Sequence, residues 1–563
     1  MDRYTRASLA RMLAPALIGV AAIAADAAAL GSPPVGATVG AAEPIGARRG
    51  VVAAPCVTPG LAALVRRESD SNRVRLGLPS PPEQLPILDG GVASDAPPYR
   101  FYPMAGRHAV DIMNGGFVDL DPGPGAIDYA CRPWTYGGHE GIDTEIRSFG
   151  EQFVGVPVFA ARDGIVVFAQ DGWPDTNIFG GIQGNIVVLD HGDGSESQYY
   201  HLKQGSVAVG VGTSVRAGTQ IGSVGSSGNS FGPHLHFQTM RFVGGQWSVV
   251  EPFAGPCRPG ASDWTDQAPL DTDALFLHDF GITRTDLSAL AEPWWTPWPL
   301  PTDGQIQLDD PAVVFWWRVF NFPPNCPVRV RFYRPNGTLA WDAQWNWGNL
   351  ETWRIHKNWF AFGLPAMGPT PGTWRLLFEL DGTVMMDTPF EMVTTVDPAF
   401  NRPPLPVAAS FAIAAPALDD VLFCNAVRSS PIEDPDWDIV RYRWRWTIDG
   451  VEVRDVVTAA QSDAIPLRIA VPGLGEIAMP GSVVTCSVTP SDGLLDGPTV
   501  SVSTTVAGAA APGDLDGDGD VDGADLGVLL GSWGPCPGCP ADLDGNGTVD
   551  GADLGALLGG WTG

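Results

Sequence analysis

Four histidines and one aspartate, within about a hundred residues, are of the types that could do metal chemistry. His139 and Asp143 stand in Gly138-His139-Glu140-Gly141-Ile142-Asp143, His201 in Tyr199-Tyr200-His201-Leu202, and His234 and His236 in Gly232-Pro233-His234-Leu235-His236. In a strand, side chains two apart point the same way, so His234 and His236 share a face while Leu235 and Phe237 turn to a core. The spacing of His139 and Asp143 would also suit one helix face, but Gly138 and Gly141 favour a loop entering a strand. Two imidazoles and a carboxylate, with water in the fourth position, form the open coordination of a catalytic zinc rather than a closed structural site. Such an ion lowers the pKa of its water toward ~7 and polarises a carbonyl. Further imidazoles beside it could move protons or stabilise an oxyanion.

The elements around these residues read as strands. Val156-Pro157-Val158-Phe159-Ala160, Gly164-Ile165-Val166-Val167-Phe168-Ala169 and Asn185-Ile186-Val187-Val188-Leu189-Asp190 are short, β-branched and bounded by glycine or turn residues. They predict an antiparallel β domain over residues 136–260.

The order HxxxD, YxHL, HxH resembles the M23 peptidases, the lysostaphin and LytM-type zinc endopeptidases of peptidoglycan. Ala161-Arg162-Asp163-Gly164, Leu189-Asp190-His191-Gly192 and Gly225-Ser226-Ser227-Gly228-Asn229-Ser230 extend the resemblance over about residues 136–240. It implies that His139, Asp143 and His236 bind Zn²⁺ and that His201 and His234 are non-ligand histidines of catalysis. The expected activity is hydrolysis of peptidoglycan cross-bridges or another Gly-rich peptide by metal-activated water. The alternative is a non-catalytic cell-wall-binding or scaffold protein built on a peptidase-like domain. His108, His191, His278 and His356 are read as ordinary hydrogen-bonded histidines.

At 563 residues the chain is long enough for several domains. The formal net charge of -30 argues against a nucleic-acid partner, whose phosphates call for Lys and Arg. Residues 1–29 read as a signal peptide, with Arg3, Arg6 and Arg11 before an apolar run from Leu13 to Ala25. That run is shorter than a bilayer-spanning helix needs; a retained anchor is the alternative, and no other stretch qualifies. A secreted protein, periplasmic, cell-surface or extracellular, is expected, with its eight cysteines in an oxidising compartment.

Residues 30–84 show no sustained period and read as a linker. Residues 85–135 read as an N-terminal extension that packs on the catalytic domain and partly restricts its groove. Residues 261–400 form a Trp-rich β domain; its tryptophans, Trp345 and Trp347 among them, suit a sandwich core better than sugar stacking. Residues 401–507 carry Cys424, then Trp444 and Trp446, then Cys486, the order of an immunoglobulin-type sandwich, which predicts a Cys424–Cys486 bridge. Cys131 and Cys257 flank the catalytic domain and could clasp it, whereas Cys56 and Cys326 have no assignment. The fold class is therefore mainly β and multidomain.

Residues 508–563 hold a duplicated loop and helix. Asp514, Asp516, Asp518, Asp520, Asp522 and Asp525 recur as Asp542, Asp544, Asn546, Thr548, Asp550 and Asp553, side chains that suit Ca²⁺. Each loop leads into an apolar stripe, Leu526, Leu529, Leu530 and Trp533, then Leu554, Leu557, Leu558 and Trp561. Paired loops ending in aspartate resemble type I dockerins, which implies a cohesin-like or cell-surface partner. The positions dockerins use for that contact hold Gly523-Ala524 and Gly551-Ala552, too small for the usual polar pair. Cys536 and Cys539 between the copies suggest a local disulfide.

Overall fold

The structure is a computed structural model that describes residues 37–41, 56–82, 99–178, 180–181, 183–290, 297–507, 513–515, 521–536 and 538–562. The expected signal peptide, residues 1–29, lies outside them. With 39% strand against 11% helix, the molecule is mainly β. No helix among the described residues is long and apolar enough to cross a membrane.

The central sheet runs Met113–Gly116, Ile142–Glu145, His234–Val243, Ser195–Tyr200, Ile186–Asp190, Gly164–Gln170 and Ser214–Val215, with Gln246–Val250 also paired on His234–Val243. The pairs along it are antiparallel. Its alternation works as the sequence predicts: Leu235 and Phe237 are fully buried in the core with Ile142, Val187, Leu189 and Tyr199. The stretch read as an extension is part of this body from Tyr99 onward. Met113–Gly116 is a strand of the sheet, and Tyr99, Tyr102, Met104 and Phe117 lie in the same core. A disulfide joins Cys131 to Cys257 across 126 residues of sequence and closes the domain.

Within residues 30–84, read from the sequence as a linker, the described parts hold two elements. Ala37–Ala41 pairs as a strand with Trp353–Gly363, and Pro59–Leu76 is an 18-residue helix. Its ends follow the usual rules: Thr58 caps the first turn, Pro59 opens it, and Gly77 closes it at φ 68°. Its inward residues, Leu61, Val65, Ser69 and Arg73, repeat every four positions. Half of that stripe is polar, which hides the apolar period from the sequence.

The Trp-rich domain pairs two sheets, one holding Ala312–Phe322 and Trp353–Gly363, the other Pro327–Tyr333, Gly372–Leu380 and Thr383–Val393. Its tryptophans serve the core: Trp317 and Trp374 are fully buried, and Trp345 and Trp347 both pack on Phe360. Trp294 and Trp295 lie outside the described residues.

The next domain is a three-stranded sheet facing a four-stranded one, with Trp444 and Trp446 in its core. The expected Cys424–Cys486 bridge is absent: both are buried free thiols of that core. Burial, with Cys424 beside it, pushes the Cys486 thiol far up.

In the tail, Gly523–Gly531 and Gly551–Gly559 form the two expected helices, and Cys536–Cys539 is a disulfide. The apolar stripe is only half inward. Leu529 and Leu557 are fully buried, whereas Leu530, Trp533, Leu558 and Trp561 are exposed. Two nine-residue helices in so small a unit can bury one line of side chains each, and the next line over is left in solvent.

Candidate metal centre

Backbone pairing brings the central residues together. Asp143 and His236 stand directly opposite each other on neighbouring strands, as do His236 and Tyr200 on the other side. His139 precedes its strand on a turn, with Gly138 at φ 75°. Gly141 is needed for space: a Cβ there would lie 2.5 Å from His236 Nε2 and 2.8 Å from the Phe237 carbonyl oxygen. His201 directly follows the strand Ser195–Tyr200 at φ 61°, a left-handed conformation uncommon for a residue with a side chain.

Each imidazole is oriented by one nitrogen. His139 Nδ1–H donates to the Phe117 carbonyl at 2.6 Å, and His236 Nε2–H donates to Gln238 Oε1 at 3.4 Å. His201 Nδ1–H donates to the Ser227 carbonyl at 2.6 Å and His234 Nδ1–H to the Gly232 carbonyl at 2.8 Å. The opposite nitrogens therefore face one another across the site.

Three of the donors lie at metal-ligand spacing. His139 Nε2 is 3.3 Å from His236 Nδ1 and 3.1 Å from Asp143 Oδ2, and His236 Nδ1 is 2.9 Å from Asp143 Oδ1. Ligands on a tetrahedral zinc at the usual bond length of ~2.05 Å are about 3.3 Å apart. The donor set and its spacing thus fit the ion. His201 Nε2 and His234 Nε2 are buried and have no hydrogen-bond partner among the described residues. Their rings lie 4.6 Å apart, centre to centre.

Charge within the cluster is strongly coupled. Burial opposes the Asp143 carboxylate, but His139 and His234 outweigh it and hold Asp143 well below its ordinary range. Burial opposes the charged imidazoles too. Asp143 holds His139 well above its usual value all the same, and Cys56 together with Asp143 brings His236 to about 9. His201 is pushed down, first by burial and then by His234.

One member of the site was missed by the sequence reading. Cys56 is buried with its Sγ 3.0 Å from His236 Nδ1, and the donor atoms of Cys56, His139, Asp143 and His236 all lie within 4.8 Å of one another. Burial alone would raise its thiol, but the surrounding imidazoles, His236 foremost, draw it well below the ordinary range. A lone cysteine 83 positions before His139 has no spacing signal to announce it.

In the tail, Asp542, Asp544 and Asp553 are brought together in the second loop. Their carboxylates also accept backbone amides, Asp542 from Asn546 and Gly547, Asp544 from Asn546, and Asp553 from Leu543, Asp544 and Asp550. Asn546 accepts from the amide of Thr548, and Asp550 caps the helix through Ala552. In the first loop, Asp525 accepts from Leu515 and Asp522, and Asp522 caps Ala524. Asp514 is described at the loop's start, whereas Asp516, Asp518 and Asp520 lie outside the described residues.

Residues 137–250 match the family model of Peptidase family M23. Over 105 residues the chain is 45% identical to the glycyl-glycine endopeptidase ALE-1 of Staphylococcus capitis, a match covering 18% of this chain and 25% of that protein. Over 100 residues it is 39% identical to the DD-carboxypeptidase/endopeptidase Mpg of Neisseria meningitidis serogroup B, covering 18% and 19%. The catalytic domain of lysostaphin from Staphylococcus simulans is 28% identical in a match covering 26% of this chain and 95% of that domain, at a TM-score of 0.17. The chain thus spans a quarter or less of the length of these two curated relatives, and the segment matched by the family model carries the His/Asp cluster.

Proposed function

We propose that the protein is a secreted zinc endopeptidase that hydrolyses peptide bonds of peptidoglycan cross-bridges. The observation that carries this reading is the trio of donors, His139 Nε2, Asp143 and His236 Nδ1, at ligand spacing beside the buried Nε2 atoms of His201 and His234, the latter 3.5 Å from Asp143 Oδ1. Substrate class is drawn from the relatives, which are named as endopeptidases acting on glycyl-glycine or DD linkages.

His139, Asp143 and His236 would hold the ion, which supplies an acidified water and polarises the scissile carbonyl when bound. His139 and His236 are kept in ligand orientation by Phe117 and Gln238. His201 and His234, each with Nδ1–H held by a carbonyl, present Nε2 toward the reacting atoms. From there they take up the proton of the attacking water, stabilise the developing oxyanion and pass a proton to the leaving amine. The tail loops are read as calcium sites that order residues 512–563. Circular dichroism of the full chain that does not respond to millimolar calcium after EGTA treatment would remove that part of the reading.

The test is metal analysis together with peptide release from purified cell walls, with the protein as isolated and with Cys56→Ser, because Cys56 stands among the donors. Both forms are expected to bind about one zinc at the site, and His139→Ala to lose it. His234→Ala is expected to keep zinc and lose a hundredfold or more of the release. Zinc-loaded Cys56→Ser that releases no more peptide than its His234→Ala derivative would refute the peptidase reading.

A further inference from the structure

We propose that Cys56 is the fourth ligand of this metal and that the chain as folded is a latent form, latched shut by the helix Pro59–Leu76. The proposal rests on the metallopeptidase reading above for what is being shut, but its primary evidence is the placement of the sulfur. Cys56 lies with the three expected ligands, all four donor atoms within 4.8 Å. A set of one sulfur, two imidazoles and a carboxylate fills a tetrahedral zinc, and filled sites of protein ligands are closed rather than catalytic.

Two further observations point to the same arrangement. His201 Nε2 and His234 Nε2 are both buried and lack hydrogen-bond partners among the described residues. They flank the same spot as the sulfur: Cys56 Sγ is 3.0 Å from His236 Nδ1, His234 Nε2 is 3.5 Å from Asp143 Oδ1, and the His201 and His236 rings lie 5.9 Å apart, so the sulfur stands where a substrate carbonyl and water would have to be. The cysteine is also not on a loose strand. Its backbone N–H donates to Tyr136 Oη at 3.4 Å, and the Tyr136 ring stacks on His139 at 4.5 Å.

The helix that follows supplies the holding force. Val57, Leu61 and Val65 are buried against Val167, Phe168, Ile186, Val188 and Tyr200 on the sheet's face. Arg66 and Arg73 converge on the fully buried Glu196, and Arg73 Nε also donates to Asp190 at 2.6 Å. Both guanidiniums lie over the Trp247 ring, at 5.0 and 4.7 Å. Buried charges of this kind are costly when one partner is removed, so the latch releases as a unit. Opening is a ligand exchange without redox change: the thiolate leaves as water enters, and takes up a proton from solvent.

Cobalt substitution of the full-length protein tests this. The wild type is expected to show an intense near-ultraviolet sulfur-to-cobalt absorption that Cys56→Ser and Cys56→Ala lack, while both variants still bind one cobalt through His139. On cell walls the zinc forms of both variants are expected to be at least tenfold more active than wild type. Cobalt-loaded wild type without the sulfur band, and no more active after Cys56 is replaced, would overturn the latch and leave the peptidase reading standing. A sulfur band with no activity in any variant would instead refute the peptidase reading and keep the ligand assignment. If the variants do not fold, alkylation of wild-type Cys56, followed by mass spectrometry, decides. It should be at least tenfold slower in zinc-loaded than in chelated protein, and equal rates would contradict ligation.

Discussion

At the scale of single residues, the centre depends as much on what is small as on what ligates. Gly141 leaves room for the His236 ring, and its replacement by alanine would put a methyl group 2.5 Å from Nε2. His236 would have to turn, breaking the orientation fixed by Gln238. Gly141→Ala is therefore expected to weaken zinc about 10–100-fold, measured by competition with a chromogenic chelator, with the far-ultraviolet spectrum unchanged. Unaltered affinity would show that His236 is not a ligand. The HxxxD and HxH spacings made these residues legible, because a period of two on a strand converts sequence directly into a shared face. Cys56 had no such signal: its partners are 83 and more residues away, joined only by tertiary packing.

At the scale of elements, the helix Pro59–Leu76 and the buried sheet histidines behave differently. The helix is held by few apolar side chains and several ion pairs, so it is the element expected to detach first. Leu61→Ala with Val65→Ala should speed amide exchange in residues 59–76 and Cys56 alkylation at least tenfold, with amides of the central sheet unaffected. Equal protection in both would mean that helix and sheet open together. His278 and His356, nearly inaccessible, are pushed down by burial to about 3 each. Their folded values lie below the unfolded value near 6.5, so the stability they confer is fully present above that pH. It is lost as pH falls toward 3, by about 1.4 kcal/mol per pH unit per group at most. The thermal midpoint should thus fall between pH 6.5 and 4.5, and fall less in His356→Phe. An identical pH profile in that variant would contradict the assignment. The helix escaped the sequence reading because Ser69 and Arg73 occupy half of its buried stripe, whereas the strands, with their β-branched runs, did not.

At the scale of the whole molecule, the two sandwich domains are fastened to the catalytic body. Arg318 of the Trp-rich domain pairs with Glu145, at the end of the strand that carries Asp143. Arg147 binds Glu433 at 2.5 Å, and the Gln461 amide donates to Asp111 at 2.7 Å. The Cys131–Cys257 bridge closes a span of 126 residues around the site. Its removal as Cys131→Ser with Cys257→Ser is expected to cost about 2–5 kcal/mol of stability, read from denaturant unfolding. A change under about 1 kcal/mol would show that packing alone holds the domain closed. The mainly β, multidomain character was legible from Gly-bounded strands and the Trp-rich and Cys-Trp-Cys patterns. Cysteine pairing was partly legible: Cys131–Cys257 and Cys536–Cys539 are formed, whereas Cys424 and Cys486 follow the immunoglobulin order without a bridge between them. How domains dock depends on largely buried polar contacts between distant residues, which have no period.

The most direct test of the central claim is mass spectrometry of peptides released from purified cell walls by the zinc-loaded Cys56→Ser protein. The account predicts cross-bridge fragments with newly formed termini, abolished by a chelator, restored by zinc, and absent with His139→Ala added. Intact walls after prolonged digestion by a stoichiometrically zinc-loaded protein would contradict it.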